Sequence, residues 1–80
     1  MFTDIVDFTD LMSNDESVAL MILQKKIITV KSEISNCNGI YVKDIGDGTL
    51  SYFESATKAV DCAIKIQNSF KNEISVRIGL

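Results

Sequence analysis

Asp4 and Asp47 are the residues of this chain best suited to holding a hard cation. Asp4 stands in Phe2-Thr3-Asp4-Ile5-Val6-Asp7-Phe8-Thr9, and Asp47 follows well downstream in Lys43-Asp44-Ile45-Gly46-Asp47-Gly48. Each is an aspartate at the edge of an apolar strand, followed by small or turn-forming residues, which is how a rigid scaffold presents a ligand at a strand end. Magnesium takes few protein carboxylates and completes its octahedron with phosphate oxygens and water, so two aspartates suffice. With Lys43 just before the second, the set suits two cations holding a polyphosphate. Such a metal pair lowers the pKa of an attacking hydroxyl and stabilises charge on departing phosphates. Taken singly, each aspartate also has a plainer reading, because Asp-Gly is a common hairpin turn and a strand-end aspartate often caps a helix.

The elements around these residues decide whether they meet. Phe2, Asp4 and Val6 alternate with Thr3 and Ile5, the period of a strand with Asp4 near its end. Ser13-Asn14-Asp15-Glu16 has the Ser-x-x-Glu spacing of a capping box and predicts a helix start. Leu20, Leu23, Ile27, Val30 and Ile34 follow at helical steps as a core-facing stripe, and Asn38-Gly39 supplies a left-handed stop. Val18, Met21, Ile22 and Ile28 widen the apolar surface; the expectation is deeper burial in this domain, with packing against another subunit or further chain as the alternative. Ile40 to Ile45 and Thr49 to Phe53 read as two strands joined by an Asp47-Gly48 hairpin turn. Ser55 to Phe70 reads as a second helix capped by Ser55, with Ala59, Ala63, Ile66 and Phe70 inward, and Ile74, Val76 and Ile78 alternate in a last strand.

The resulting βαββαβ string predicts an α+β, ferredoxin-like fold: a four-stranded antiparallel sheet with two helices on one face. In that topology the first strand runs parallel to the second with the third between them. The end of strand one, the start of helix one and the turn between strands two and three then share one edge, near a helix N-terminus suited to phosphate. Asp4 and Asp47 are expected to be neighbours there.

Composition bounds the rest. Eighty residues make one small domain with a limited core, for which oligomerisation is a standing expectation. The longest apolar run, Val18 to Leu23, falls far short of the roughly 20 residues a membrane helix needs, and no secretory signal is visible. Cys37 and Cys62 lack metal-ligand spacing and any histidine to help them, and read as reduced cytosolic thiols. No Lys or Arg precedes Lys25, while Asp4, Asp7, Asp10, Asp15 and Glu16 crowd the start. That negative potential favours cations and opposes nucleic acid, though a solvated acidic loop and helix start reads equally well by itself.

Phe2 to Thr9, followed by Val42-Lys43-Asp44-Ile45-Gly46-Asp47-Gly48-Thr49-Leu50-Ser51-Tyr52-Phe53, resembles the catalytic domain of class III nucleotidyl cyclases, the adenylate and guanylate cyclase family. Ala59 to Gln67 and the closing Val76-Arg77-Ile78-Gly79-Leu80 resemble later blocks of that family. The resemblance implies that Asp4 and Asp47 are catalytic metal ligands for two Mg²⁺ or Mn²⁺ ions, with the Ile5 carbonyl as a further ligand. It implies attack of the ribose 3′-hydroxyl on the α-phosphate, giving a 3′,5′-cyclic nucleotide and pyrophosphate in signal transduction. Lys43 matches the purine-reading position, where lysine goes with ATP and glutamate with GTP, so ATP is favoured; an ammonium donates to the adenine N1 acceptor. Phe8 and Thr9 would open the phosphate-facing turn with their backbone N–H groups.

The resemblance further implies a cytoplasmic catalytic domain, whether or not the parent is membrane-attached, and a homodimer with its sites at the subunit interface. Asp7 departs from the family, which usually has glycine there; aspartate tolerates unusual backbone angles, but its charge would oppose polyphosphate. The family's second purine-reading aspartate and its transition-state asparagine and arginine lie further on. Residues 1–80 are therefore expected to be the N-terminal half of the domain, inactive alone, with activity belonging to the parent protein. The alternative is a catalytically silent cyclase-like module for nucleotide binding, dimerisation or regulation. A cyclic-dinucleotide synthase or polymerase palm is disfavoured by the lack of a Gly-Gly-Asp/Glu-Glu-Phe signature, and a bare ferredoxin-like interaction domain is the last fallback.

Overall fold

Four antiparallel strands form one sheet in the order β2-β3-β1-β4 in the computed structural model, which describes residues 1–71 and 73–80. The strands are β1 (Phe2–Ile5), β2 (Ile40–Ile45), β3 (Gly48–Tyr52) and β4 (Val76–Gly79), and the helices are α1 (Phe8–Asn14), α2 (Glu16–Asn36) and α3 (Ala56–Phe70). This is the expected α+β, ferredoxin-like arrangement, with β1 between β3 and β4 and the short helix α1 added after β1. The register pairs Phe2 with Leu50 and Thr3 with Thr49 on one side, and Asp4 with Arg77 and Ile5 with Val76 on the other.

Alternation along the strands divides the sheet into two faces. Thr3, Ile5, Thr49, Ser51 and Val76 are buried beneath the helices. There Val76 joins a core of Val30, Ile34 and Cys37 from the α2 side and Cys62, Ile66 and Phe70 from α3. Ile34, Ile66 and Phe70 are fully enclosed, each contributing about 1.5–3 kcal/mol of apolar burial. Phe2, Asp4, Leu50 and Arg77 occupy the opposite face, where no helix lies. The edge strand β2 is exposed throughout, leaving Ile40, Val42, Ile45 and the neighbouring Tyr52 open.

Several local expectations are corrected. The long helix starts not at the Ser13 box but at Asp15, whose extended backbone and side chain accepting from the Val18 N–H at 3.2 Å make it the cap. Ser13 lies inside α1 instead. The buried stripe of α2 runs through Ala19, Lys26, Val30 and Ile34, with Leu23 and Ile27 half-buried and Leu20 exposed. Val18, Met21 and Ile28 are exposed rather than deeply buried, and only Ile22 among the widening residues is half-buried. On α3, Ser55 caps as expected through the Lys58 N–H, and Cys62 takes the deep position beside half-buried Ala59 and Ala63.

The hairpin also turns one residue earlier than expected. Ile45 pairs with Gly48, so Gly46-Asp47 is the loop, and Gly46 supplies the positive φ of 60° that a β-carbon would oppose. Gly48 opens β3, and the Phe2 ring lies where its β-carbon would project. Among the described residues no helix is long and apolar enough to cross a membrane.

Candidate functional site

The topology brings the two aspartates to one edge. Asp47 is the second residue of the β2–β3 turn, and its Oδ2 accepts the Ile5 backbone N–H at 2.8 Å. That bond ties the hairpin tip to the end of β1, immediately beside Asp4. Asp4, Ile5 and Asp47 border an open cleft of about 270 Å³, whose other side is formed by Phe8 and Thr9 in the first turn of α1. Thus Asp4, Ile5, Phe8, Thr9 and Asp47 come together, as the strand order predicts.

Lys43 is not brought to this cleft. It lies on the edge strand β2 opposite Leu50, after a bulge between Tyr41 and Lys43, and is exposed on the face away from the helices. Its neighbour Asp44 points toward the helices, accepting the Thr49 hydroxyl at 3.0 Å and pairing with Lys31 at 3.6 Å.

Asp7 gives the cleft its shape. Its backbone is left-handed (φ 57°, ψ 31°), the conformation glycine adopts most readily, and this single residue turns the chain from β1 into α1. The cost is electrostatic as well as conformational, because Asp7 and Asp10 line the same cleft as Asp4 and Asp47. Four carboxylates therefore surround one small volume.

Two cations lie close to them, and only the first pairs with a carboxylate of the cleft. Arg77, opposite Asp4 on β4, grips both carboxylate oxygens through Nε at 2.9 Å and an Nη at 3.0 Å. The hydrogen bond and charge of Asp4 hold the exposed guanidinium above its ordinary pKa. Lys26 reaches from α2 beneath the sheet, fully buried, and donates to the Thr3 carbonyl at 3.2 Å, the Asp47 carbonyl at 2.7 Å and Thr49 Oγ1 at 3.1 Å. Burial pushes its pKa below the ordinary 10.5, while the charges of Asp47, Asp44 and Asp4 act in the other direction.

The donor set fits a hard divalent ion only when other ligands complete the shell. Among the described residues no three His, Cys, Asp or Glu side chains converge as a metal cage. Asp4, Asp47 and the Ile5 carbonyl offer oxygen donors alone, the chemistry of a magnesium site completed by water and phosphate. The cleft is open to solvent and bordered by carboxylates, a lining that suits a hydrated cation.

The sequence does not single out Lys26, and Arg77 enters only as part of the Val76 to Leu80 block. Lys26 nonetheless carries a readable signal: it sits three residues after Leu23 and four before Val30, on the inner stripe of the helix. The chain matches no protein-family model, and no curated protein is significantly similar to it.

Proposed function

We propose that this chain carries the metal-binding half of a class III nucleotidyl cyclase site, which in the full-length protein converts ATP to 3′,5′-cyclic AMP and pyrophosphate. The observation that carries the reading is the meeting of Asp4 and Asp47 at one cleft, coupled by the Ile5 N–H bond at 2.8 Å. In this reading Asp4, Asp47 and the Ile5 carbonyl hold two Mg²⁺ or Mn²⁺ ions. When bound, the ions supply acidity to the ribose hydroxyl and charge neutralisation to the phosphates. The Phe8 and Thr9 N–H groups, in the helix turn where backbone donors lack intrahelical partners, face the polyphosphate.

With Lys43 outside the cleft, the reading requires a site shared between two subunits. Lys43 on the exposed β2 edge of a partner subunit would then read the adenine N1. A homodimer with interfacial sites is thus part of the proposal, as is residence of the catalytic domain in the cytoplasm.

One observation favours the silent-module alternative. Arg77 occupies both oxygens of Asp4, and a cation must displace or share that contact. The experiment is product analysis by mass spectrometry of the full-length protein with Mn²⁺ and either ATP or GTP, beside Asp47→Ala. The proposal expects cyclic AMP in preference to cyclic GMP, and a loss on the order of 100-fold or more in the variant, since even outer-sphere partners of a metal are worth 10–100-fold. No cyclic product from a folded, dimeric protein would favour the silent module.

A further inference from the structure

We infer that Lys26 is the positioning residue of the acidic cleft, a buried ammonium that clamps the end of β1 to the β2–β3 turn and thereby sets the spacing of Asp4 and Asp47. The inference rests on reading that cleft as a cation site. An ammonium has three N–H donors, and the structure gives Lys26 three acceptors from two separate parts of the sheet edge: the Thr3 carbonyl on β1, the Asp47 carbonyl in the turn and the Thr49 hydroxyl on β3. Thr49 donates its own hydroxyl hydrogen bond to Asp44 Oδ1 at 3.0 Å, which extends the network to β2. One side chain from α2 therefore joins three strands.

The identity of the acceptors separates a clamp from a counter-charge. A lysine recruited to neutralise the acidic cleft would set its ammonium against a carboxylate oxygen. Lys26 instead donates to two backbone carbonyls and a hydroxyl. The Asp47 carboxylate is left to accept the Ile5 N–H at 2.8 Å, so the same turn is held twice, once by its carbonyl and once by its side chain. The carboxylate contact reaches Ile5 and the ammonium also holds the Thr3 carbonyl, so the residues on both sides of Asp4 are tied to the turn. A fully buried ammonium cannot exchange these partners for water, so the strand ends are fixed wherever its three bonds are satisfied.

The test reads amide hydrogen exchange and Mn²⁺ affinity in the intact chain, for wild type, Lys26→Met and Thr49→Val. Methionine keeps an unbranched side chain without the ammonium. The clamp predicts that the Ile5 amide of Lys26→Met exchanges about tenfold faster relative to the Ile66 amide in α3, and that Mn²⁺ binds about tenfold more weakly, the scale of a lost charged hydrogen bond. Equal acceleration of Ile5 and Ile66 with unchanged Mn²⁺ affinity would make Lys26 a general stabiliser and overturn the inference. Tighter Mn²⁺ binding would overturn it too, since it is the sign expected when a repelling buried charge is removed.

Thr49→Val keeps the lysine and removes one acceptor, so it serves if Lys26→Met does not fold. It should accelerate Ile5 selectively by about threefold, and an unchanged Ile5 would again count against the clamp. Failure of the cation-site reading has a different signature: Mn²⁺ affinity equal in wild type and Asp47→Ala, while Ile5 still responds to Lys26→Met, upholds the clamp and removes the metal.

Discussion

Thr3 Oγ1 is a buried side-chain oxygen with no hydrogen-bond partner, although the carbonyl of the same residue accepts from Lys26. The three ammonium protons are already committed, so the hydroxyl has been desolvated for nothing. Thr3→Val replaces it with a methyl of similar shape and should raise stability by about 1 kcal/mol in urea unfolding; a loss of stability would show that the hydroxyl is satisfied by water. A second residue-scale prediction concerns Cys62. Burial, then a hydrogen bond to Cys37, pushes its thiol up from an ordinary 9.0 to about 12. Because the folded value is the higher, the folded chain binds the proton more tightly, and that stabilisation is complete below pH 9 and lost as pH rises toward 12. The stability advantage of wild type over Cys62→Ala should therefore shrink across that window in urea titrations. A gap that widened instead would contradict the sign of the shift. The same buried thiol should resist alkylation at pH 8 until the chain unfolds.

At the scale of elements, the break between α1 and α2 separates what neighbouring residues can announce from what they cannot. Ser13 and Glu16 have capping-box spacing, yet Asp15 is the residue whose side chain receives a helix N–H. Asp15→Ala should cost about 1 kcal/mol, while Ser13→Ala should stay within about 0.5 kcal/mol. Comparable losses would restore the serine cap. β1, β4 and α3 were legible because alternation and helical spacing report which face is buried, while the exposed β2 was legible from its β-branched and aromatic residues and the turn that follows. The start of α1 was not, because it depends on one left-handed residue, Asp7, that bends the chain into a helix with no buried residue. Asp7→Gly tests that bend. Glycine reaches a φ of 57° without the β-carbon clash, worth about 1–2 kcal/mol, and gives back about 0.5–1 kcal/mol in chain entropy. A gain of about 0.5 kcal/mol in chemical denaturation is expected, together with stronger binding of inorganic pyrophosphate as one negative charge leaves the cleft. A clear destabilisation would mean that the carboxylate supports the turn.

For the whole molecule, strand order did most of the positional work. Once β3 lies between β1 and β2, Asp4 and Asp47 must share an edge, and this much of the site could be read from the sequence. Lys26 escaped because apolar periodicity counts a lysine as solvent-facing, although its length lets the ammonium reach polar acceptors beneath the sheet. Lys43 shows the converse: close to Asp47 in sequence, it projects from an exposed strand and does not border the cleft. If it reads the purine, it must do so across an interface, and that separation makes a complementation test decisive. In a two-fold dimer with two composite sites, Asp47→Ala and Lys43→Ala homodimers each spoil both sites. A mixed dimer concentrates both substitutions in one site and leaves the other intact. Random assembly of equal amounts makes half the dimers mixed, so cyclic AMP formation by the full-length protein should recover to about a quarter of wild type. Recovery should appear only after the subunits exchange. Mixed dimers shown by mass spectrometry to have formed, yet no more active than the parent variants, would mean that Lys43 and Asp47 do not serve the same site across the interface.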